Sequence, residues 1–243
     1  MASSPAIVFL GPTLKMAQAR QFADAVYLPP AAQGSIIQAV RRHQPRAILI
    51  IDGLFQSEPA VRHKEILWAL DQGIPVLGAA SMGALRAAEL HRFGMIGIGL
   101  IYRWYRRWQG APDDAVAVVH TPPELGAEPL TVALIDLLMT IRQAGRQGAV
   151  TAEQMVLLKQ EARRLNFRDR DIAAVAAAAG IDPGRLRPCL VEQKKQDAIA
   201  ALRHLHKVNP ESRKGAFVWT TNFVRDLAHA KIELPGEVSF PNG

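Results

Sequence analysis

Apolar residues fall along this chain in two rhythms. In the first half they come as short, near-continuous runs at 6–10 (AIVFL), 24–28 (DAVYL), 46–51 (RAILII), 74–79 (IPVLGA) and 115–119 (AVAVV). Runs of this length, rich in β-branched residues and bounded by Gly, Pro or Asp, predict strands buried on both faces. Between them, stretches at about 14–23, 35–43, 58–72 and 82–92 read as helices. Ser57 is the expected N-cap of the third, with Pro59 in its first turn and Gly73 just past its end. Strand and helix in alternation predict an α/β, Rossmann-like fold: a mostly parallel sheet of about five strands with helices on both faces.

The segment 97–110 predicts a further helix, because Ile101, Trp104, Tyr105 and Trp108 follow the i, i+3, i+4, i+7 pattern. After Pro129 the rhythm is wholly helical, with candidates at 130–145, 151–165, 168–179 and 189–206. Thr151 followed by Gln154 forms a capping box, and Asp182-Pro183-Gly184 a turn. The chain therefore divides into an α/β core at 1–130 and an all-helical region at 131–243.

Composition narrows the class. Of 243 residues, 49% are hydrophobic and 21% charged, which excludes a disordered or collagen-like chain. No apolar run approaches the roughly 18 to 20 residues needed to cross a bilayer. The start MASSPAIVFLGP lacks the basic and apolar regions of a secretory signal. The expectation is a cytoplasmic protein. Its one cysteine, Cys189, excludes an intramolecular disulfide and a thiolate set for zinc. The net charge of +7 sits mainly in the second half: 12 basic and 10 acidic side chains occupy residues 1–130, against 17 and 12 in 131–243. Such a field attracts acidic partners of any kind without choosing among them.

In an open parallel sheet, ligands bind beyond the carboxyl ends of the strands. The five predicted strands run into Gly11-Pro12, Pro29-Pro30, Asp52-Gly53, Ala80-Ser81-Met82-Gly83, and His120 followed by Glu124. Hydroxyl, carboxylate and imidazole groups thus gather on one rim beside glycines. Ser81, in GAASMGALRAAEL, lies between a buried strand and a helix among small residues, as in a nucleophile elbow, with Ala79 and Gly83 in the two glycine places. It serves either as a nucleophile, with the Met82 amide holding an oxyanion, or as the helix N-cap.

His63 shares a helical face with Ile66, Leu67 and Leu70, so it should point toward the sheet. It is either a general base or a satisfied core histidine. Asp52 is either an orienting partner for His63 or a turn residue. His120 and Glu124 occupy a Pro-rich loop that forms a lid or a rigid connection. Lys64 and Arg86 are cations able to meet an anionic substrate, although Arg86 with Glu89 also reads as a surface pair. No dinucleotide fingerprint, phosphate loop or metal-ligand spacing occurs. His204 and His206 face different ways on a helix. Cys189 lacks an identifiable base, and the aromatic-and-arginine helix at 101–108 reads as a half-buried cover rather than a nucleobase platform.

Taken together, FLGP at 9–12, YLPPA at 27–31, IIDGLF at 50–55, HKEIL at 63–67, GAASMGALRAAEL at 78–90, FGM at 93–95 and the His120, Pro122, Glu124 motif closely resemble the TfuA-like family over about residues 6–130. The resemblance implies a role beside a YcaO protein in peptide backbone thioamidation. The YcaO partner uses ATP, and the TfuA-like protein releases sulfide from a thiocarboxylated ThiS-like sulfur carrier and helps the partner engage its precursor peptide. It implies no cofactor or metal on this chain, no nucleic acid and no membrane.

Sulfide release of that kind is acyl transfer. The chemistry assigns Ser81 as nucleophile, His63 as base and Asp52 as orienter. The Met82 amide, with Gly11 or Gly53, makes the oxyanion hole, and Lys64 or Arg86 offsets the substrate charge. A water attack promoted by His63 stays open. So do two rival classes, a non-catalytic adaptor that activates the YcaO partner and a small-molecule esterase.

Overall fold

The structure, a computed structural model, describes residues 4–54, 59–122, 125–208 and 217–234. Five strands form one all-parallel sheet: β1 (Ala6–Phe9), β2 (Val26–Leu28), β3 (Ala47–Ile50), β4 (Val76–Ala79) and β5 (Ile96–Ile98). Their spatial order is β2-β1-β3-β4-β5, with Ile7 opposite Val26 on one side and Ile48 on the other. Four predicted runs become strands and the fifth does not. Residues 113–116 form a 3-10 turn continued by extended chain outside the sheet, and the edge strand is the short segment at Ile96 that the sequence places next to a helix. Edge strands see less of the core, and with Gly97 inside it β5 lacks an apolar run long enough to notice.

Direction of crossover decides which face each helix covers. Right-handed connections from β2 to β3, β3 to β4 and β4 to β5 all travel the same way across the sheet. They put α2 (Ser35–His43), α3 (His63–Asp71) and α4 (Met82–Leu90) on one face. There Ile7, Phe9, Ile48 and Ile50 pack with Ile36, Ile66 and Leu85. The single reverse step, β1 to β2, leaves only the four-residue α1 (Met16–Ala19) for the other face. Val8, Leu49, Ile51 and Leu77 still need cover, and Ala198, Ala201, Leu202 and Leu205 supply it. The first three of these lie on α9 (Gln193–His204), a helix from the far end of the chain.

Between β5 and α9 run α5 (Gly99–Arg107), α6 (Leu134–Arg146), α7 (Ala152–Arg164) and α8 (Ile172–Ala178); α10 (Thr221–His229) follows. The capping box at Thr151 forms: Thr151 N–H donates to Gln154 Oε1 at 3.0 Å and Gln154 N–H to Thr151 Oγ1 at 3.2 Å. The Asp182 turn forms too, its carboxylate accepting from Gly184 N–H. Arg170, 1% exposed, threads between these layers and donates to Ala162 O, Leu165 O and the Asp114 carboxylate. The predicted cap Ser57 lies outside the described residues. Helix α3 starts only at His63, so Pro59 is not in its first turn. Among the described residues no helix is long and apolar enough to cross a membrane.

Close backbone approach fixes α4 on the sheet. A Cβ on Gly83 would lie 1.8 Å from Ile50 O, and one on Gly78 would lie 2.0 Å from Gly83 O. Both glycines are therefore packing devices, and Gly83 is not simply the second glycine of an elbow. Gly83→Ala is expected to cost about 1–3 kcal/mol in urea unfolding, because neither backbone can yield without moving the helix. A stability equal to wild type would show that α4 sits farther from β3.

Candidate functional site

The sheet order reverses direction between β1 and β3, and the crevice beyond their carboxyl ends is where an open α/β sheet accepts ligands. A narrow cavity of about 60 Å³ lies there, lined among others by Pro12, Pro30, Asp52, Gly53, Ser81, Met82, Val116, His120 and Lys194. A larger groove of about 520 Å³ shares Pro12, Val118 and Lys194 with it.

Ser81 stands at the foot of α4. Its backbone N–H donates to Ala79 O at 2.7 Å across Ala80, whose φ is +65°. That three-residue γ-turn is uncommon and strained for a residue with a Cβ. It turns the chain sharply from β4 into α4, with Ala80 at the apex and Ser81 directly after it. The hydroxyl, on a residue 7% exposed, makes no capping bond. Among the described residues its one hydrogen bond is a long one, 3.5 Å to Val116 O. Ser81 is the N-cap by position alone, and its oxygen is left for the cavity. Among the described residues the Met82 N–H has no hydrogen-bond partner, so the helix N-terminus offers a donor beside that oxygen.

The predicted triad does not assemble. His63, with 45% of its side chain exposed, pairs through Nε2 with Glu89 Oε2 at 2.7 Å. Glu89 is eight residues along α4 from Ser81, roughly 12 Å of helix, and His63 does not line the cavity. His63 lies at the margin of the buried side of α3: Glu65, Ile66, Trp68, Ala69 and Leu70 are buried, whereas His63 and Leu67 are half-buried. Burial pushes the Glu89 carboxyl up, but hydrogen bonds and charge from His63 and Arg86 outweigh it and hold the group below its ordinary value.

Asp52, 2% exposed, orients no histidine. It accepts from Gly11 N–H at 2.9 Å, Thr13 N–H at 3.2 Å and the Thr13 hydroxyl at 2.6 Å, and so holds the loop after β1 against β3. Gly11 N–H is thereby spent and is no oxyanion donor, whereas Gly53 lines the cavity, where a Cβ would lie 2.7 Å from the Met82 side chain. Arg86 and Lys64 lie elsewhere: Arg86 donates to Val61 O and to Glu89, and Lys64 to Val218 O while sitting over the Phe217 ring.

His120 does line the cavity, its Nδ1 donating to Thr121 O at 2.8 Å. In the neutral ring this leaves Nε2 without a proton. Glu124 lies outside the described residues. Cys189 is buried with Gln147 as a hydrogen-bond partner, away from the cavity. In α5, Ile101 and Tyr105 are buried, as expected of a cover helix, but Trp108, expected on the same face, lies just past the helix end and is exposed. Among the described residues no cluster of His, Cys, Asp or Glu is arranged to hold a metal ion.

Two ionisable cavity residues, Lys194 and Asp113, are not among the candidates that the sequence reading singles out. Lys194, 5% exposed, enters from the N-terminal turn of α9 and donates through Nζ to Val116 O at 2.8 Å, the carbonyl that Ser81 Oγ also contacts. Its helix is pinned by Asp197, whose Oδ2 accepts from Ile101 N–H at 2.7 Å at the start of α5, and by Asp136, which accepts from Lys194 N–H at 3.0 Å. Loss of hydration pushes the Asp136 carboxyl up to about 6 against the opposing pull of Lys194. The signal was in the spacing: Lys194, Asp197, Ala198, Ala201, Leu202 and Leu205 form one helical stripe, and the two charges continue an apolar face.

The family model described as TfuA-like protein matches residues 52–171, a span that holds Asp52, Ser81, Met82 and His120 and ends before Lys194. No curated protein matches the chain.

Proposed function

Residues 52–171 belong to the TfuA-like family, and from that premise we propose that the protein serves YcaO-dependent peptide thioamidation by releasing sulfide from a thiocarboxylated, ThiS-like carrier. The observation that carries this reading is the Ser81 hydroxyl: buried, uncapped, at a strained turn on a helix N-terminus, and facing a narrow cavity at the reversal point of the sheet. The space beside Ser81, about 60 Å³, suits the slim end of a chain better than a bulky ligand, since drug-sized sites enclose about 300–1,000 Å³.

The chemistry proceeds in two balanced steps. Ser81 Oγ attacks the thiocarboxylate carbon, the C–S bond breaks, and the hydroxyl proton leaves with sulfur as hydrosulfide. Water then cleaves the serine ester, giving a carboxylate and a proton and restoring the hydroxyl. The Met82 N–H stabilises the tetrahedral oxyanion. His63 takes no part in this route. His120, Lys194 and Asp113 are the cavity groups able to move a proton, Asp52 being engaged with Gly11 and Thr13.

The test is direct. Purified protein incubated with thiocarboxylated carrier, without any YcaO protein, is expected to release free sulfide at many times the spontaneous rate. Release only at the spontaneous rate, together with faster thioamidation when the YcaO protein is added, would favour a non-catalytic adaptor and end the hydrolase reading. Turnover of activated acyl esters without turnover of the carrier would instead mark a small-molecule esterase.

A further inference from the structure

Lys194 brings a buried cation to the cavity, where the charges of Asp136 and, on the same wall, Asp113 balance it in part. Its ammonium carries three donors, and among the described residues only one is used, at Val116 O. Burying a charge with donors unspent is costly unless something anionic completes it. The residue lines both the narrow cavity and the larger groove, so its free N–H groups stand where the two spaces meet. Ser81 Oγ and Lys194 Nζ approach the same carbonyl oxygen, at 3.5 and 2.8 Å, so nucleophile and cation share one acceptor on the cavity wall without being hydrogen-bonded to each other. Asp136 and Asp197 hold the backbone of this helix turn, so the ammonium is aimed rather than free to swing into solvent.

We infer that Lys194 is a catalytic residue of this cavity: its ammonium receives the anionic end of a carboxylate or thiocarboxylate substrate and exchanges protons between Ser81 and the leaving group. The inference rests on the acyl-transfer reading above and adds the residue that lets it run. A thiocarboxylate is anionic and repels an attacking oxygen, and a desolvated cation beside it offsets that repulsion. As the C–S bond breaks, the ammonium gives a proton to sulfur and takes the Ser81 hydroxyl proton, ending as it began. Hydrosulfide leaves, the acyl group stays on Ser81, and charge and atoms balance. The family match ends at residue 171, so this group is contributed by the helical region alone.

The probe is thioacetate, the smallest thiocarboxylate. With lysine-selective ¹⁵N labelling, the Lys194 Nζ resonance, assigned by its absence from K194R, is expected to shift on titration in wild type and in S81A. K194M is expected to lose thioacetate binding and to release sulfide from the thiocarboxylated carrier about 10²–10³-fold more slowly than wild type, with K194R recovering the binding in part. A Lys194 resonance indifferent to thioacetate, or wild-type turnover in K194M, overturns the inference. If K194M fails to fold in a thermal melt, the wild-type titration decides alone. Lys194-dependent thioacetate binding without sulfide release from the carrier would sink the hydrolase reading and leave the anion site standing.

Discussion

Ser81→Ala is expected to lower sulfide release by about 10³-fold or more while leaving the protein folded. The loss follows from covalent chemistry: without the oxygen, no acyl intermediate forms, and only positioning and the oxyanion donor act on a water molecule. The fold is spared because the hydroxyl does so little for it. Its single hydrogen bond among the described residues is 3.5 Å long, and α4 takes no cap from it, so the stability cost stays below about 1 kcal/mol. For a chain of this size that is a shift of no more than about 4 °C in Tm. Rates and Tm measured on the same preparation separate the two effects. A variant with wild-type turnover would eliminate the covalent route, and one that unfolds would mean Ser81 holds the turn together.

The largest effect on stability is expected at Glu65, far from the chemistry. Its carboxylate is fully buried and accepts from Gly34 N–H at 3.0 Å, Ile36 N–H at 3.0 Å and Arg62 N–H at 2.8 Å. One side chain therefore caps the N-termini of two helices, α2 and its own α3. Glu65→Ala leaves three donors buried without acceptors, at about 1–3 kcal/mol each, so a loss of at least about 3 kcal/mol is expected in denaturant unfolding. Glu65→Gln loses less, since its amide oxygen still accepts from two donors while its NH₂ faces the third. A loss under about 1 kcal/mol in the alanine variant would mean that water reaches these groups.

The same residue gives wild type a pH dependence with a definite sign. Burial pushes the Glu65 carboxyl up to about 7 from an ordinary 4.5, in spite of the three donors that favour the anion. Between those values the folded chain holds the proton more tightly than the unfolded one. This stabilising contribution is thus complete below pH 4.5 and is lost as pH rises toward 7. Glu65→Gln removes that slope, and unfolding curves for the two proteins over pH 4.5–7 make the comparison.

The errors of the sequence reading have specific causes. The spacing of Ile66, Leu67 and Leu70 points His63 toward the sheet, but only Ile66 and Leu70 are buried, and His63 sits at the margin, paired with Glu89. Glu65 is buried in the same helix because its carboxylate is fully hydrogen-bonded, which an apolar pattern does not report. The run AVAVV at 115–119 looks like a strand because it is buried and β-branched in part. It is instead the strap that supplies Val116 O to both Ser81 and Lys194. Burial, the property that apolar runs report, does not distinguish a strand from a covered loop.

By itself the sequence determined four of the five strands, their parallel arrangement and the helices between them, because strand runs of four to six residues and helical stripes are written in neighbouring positions. It also placed Asp52, Ser81 and Met82 on one rim, since every parallel strand ends on the same side of a sheet; His120 reaches that rim from extended chain outside the sheet, not from a strand end. Tertiary structure alone decided which of these groups meet, that Asp52 serves a loop, that His63 leaves for Glu89, and that Lys194 arrives in its place. The reason is physical. A sheet whose crossovers nearly all run one way leaves one face uncovered, and the helix that closes it comes from more than a hundred residues away, bringing its charged end to the strand termini.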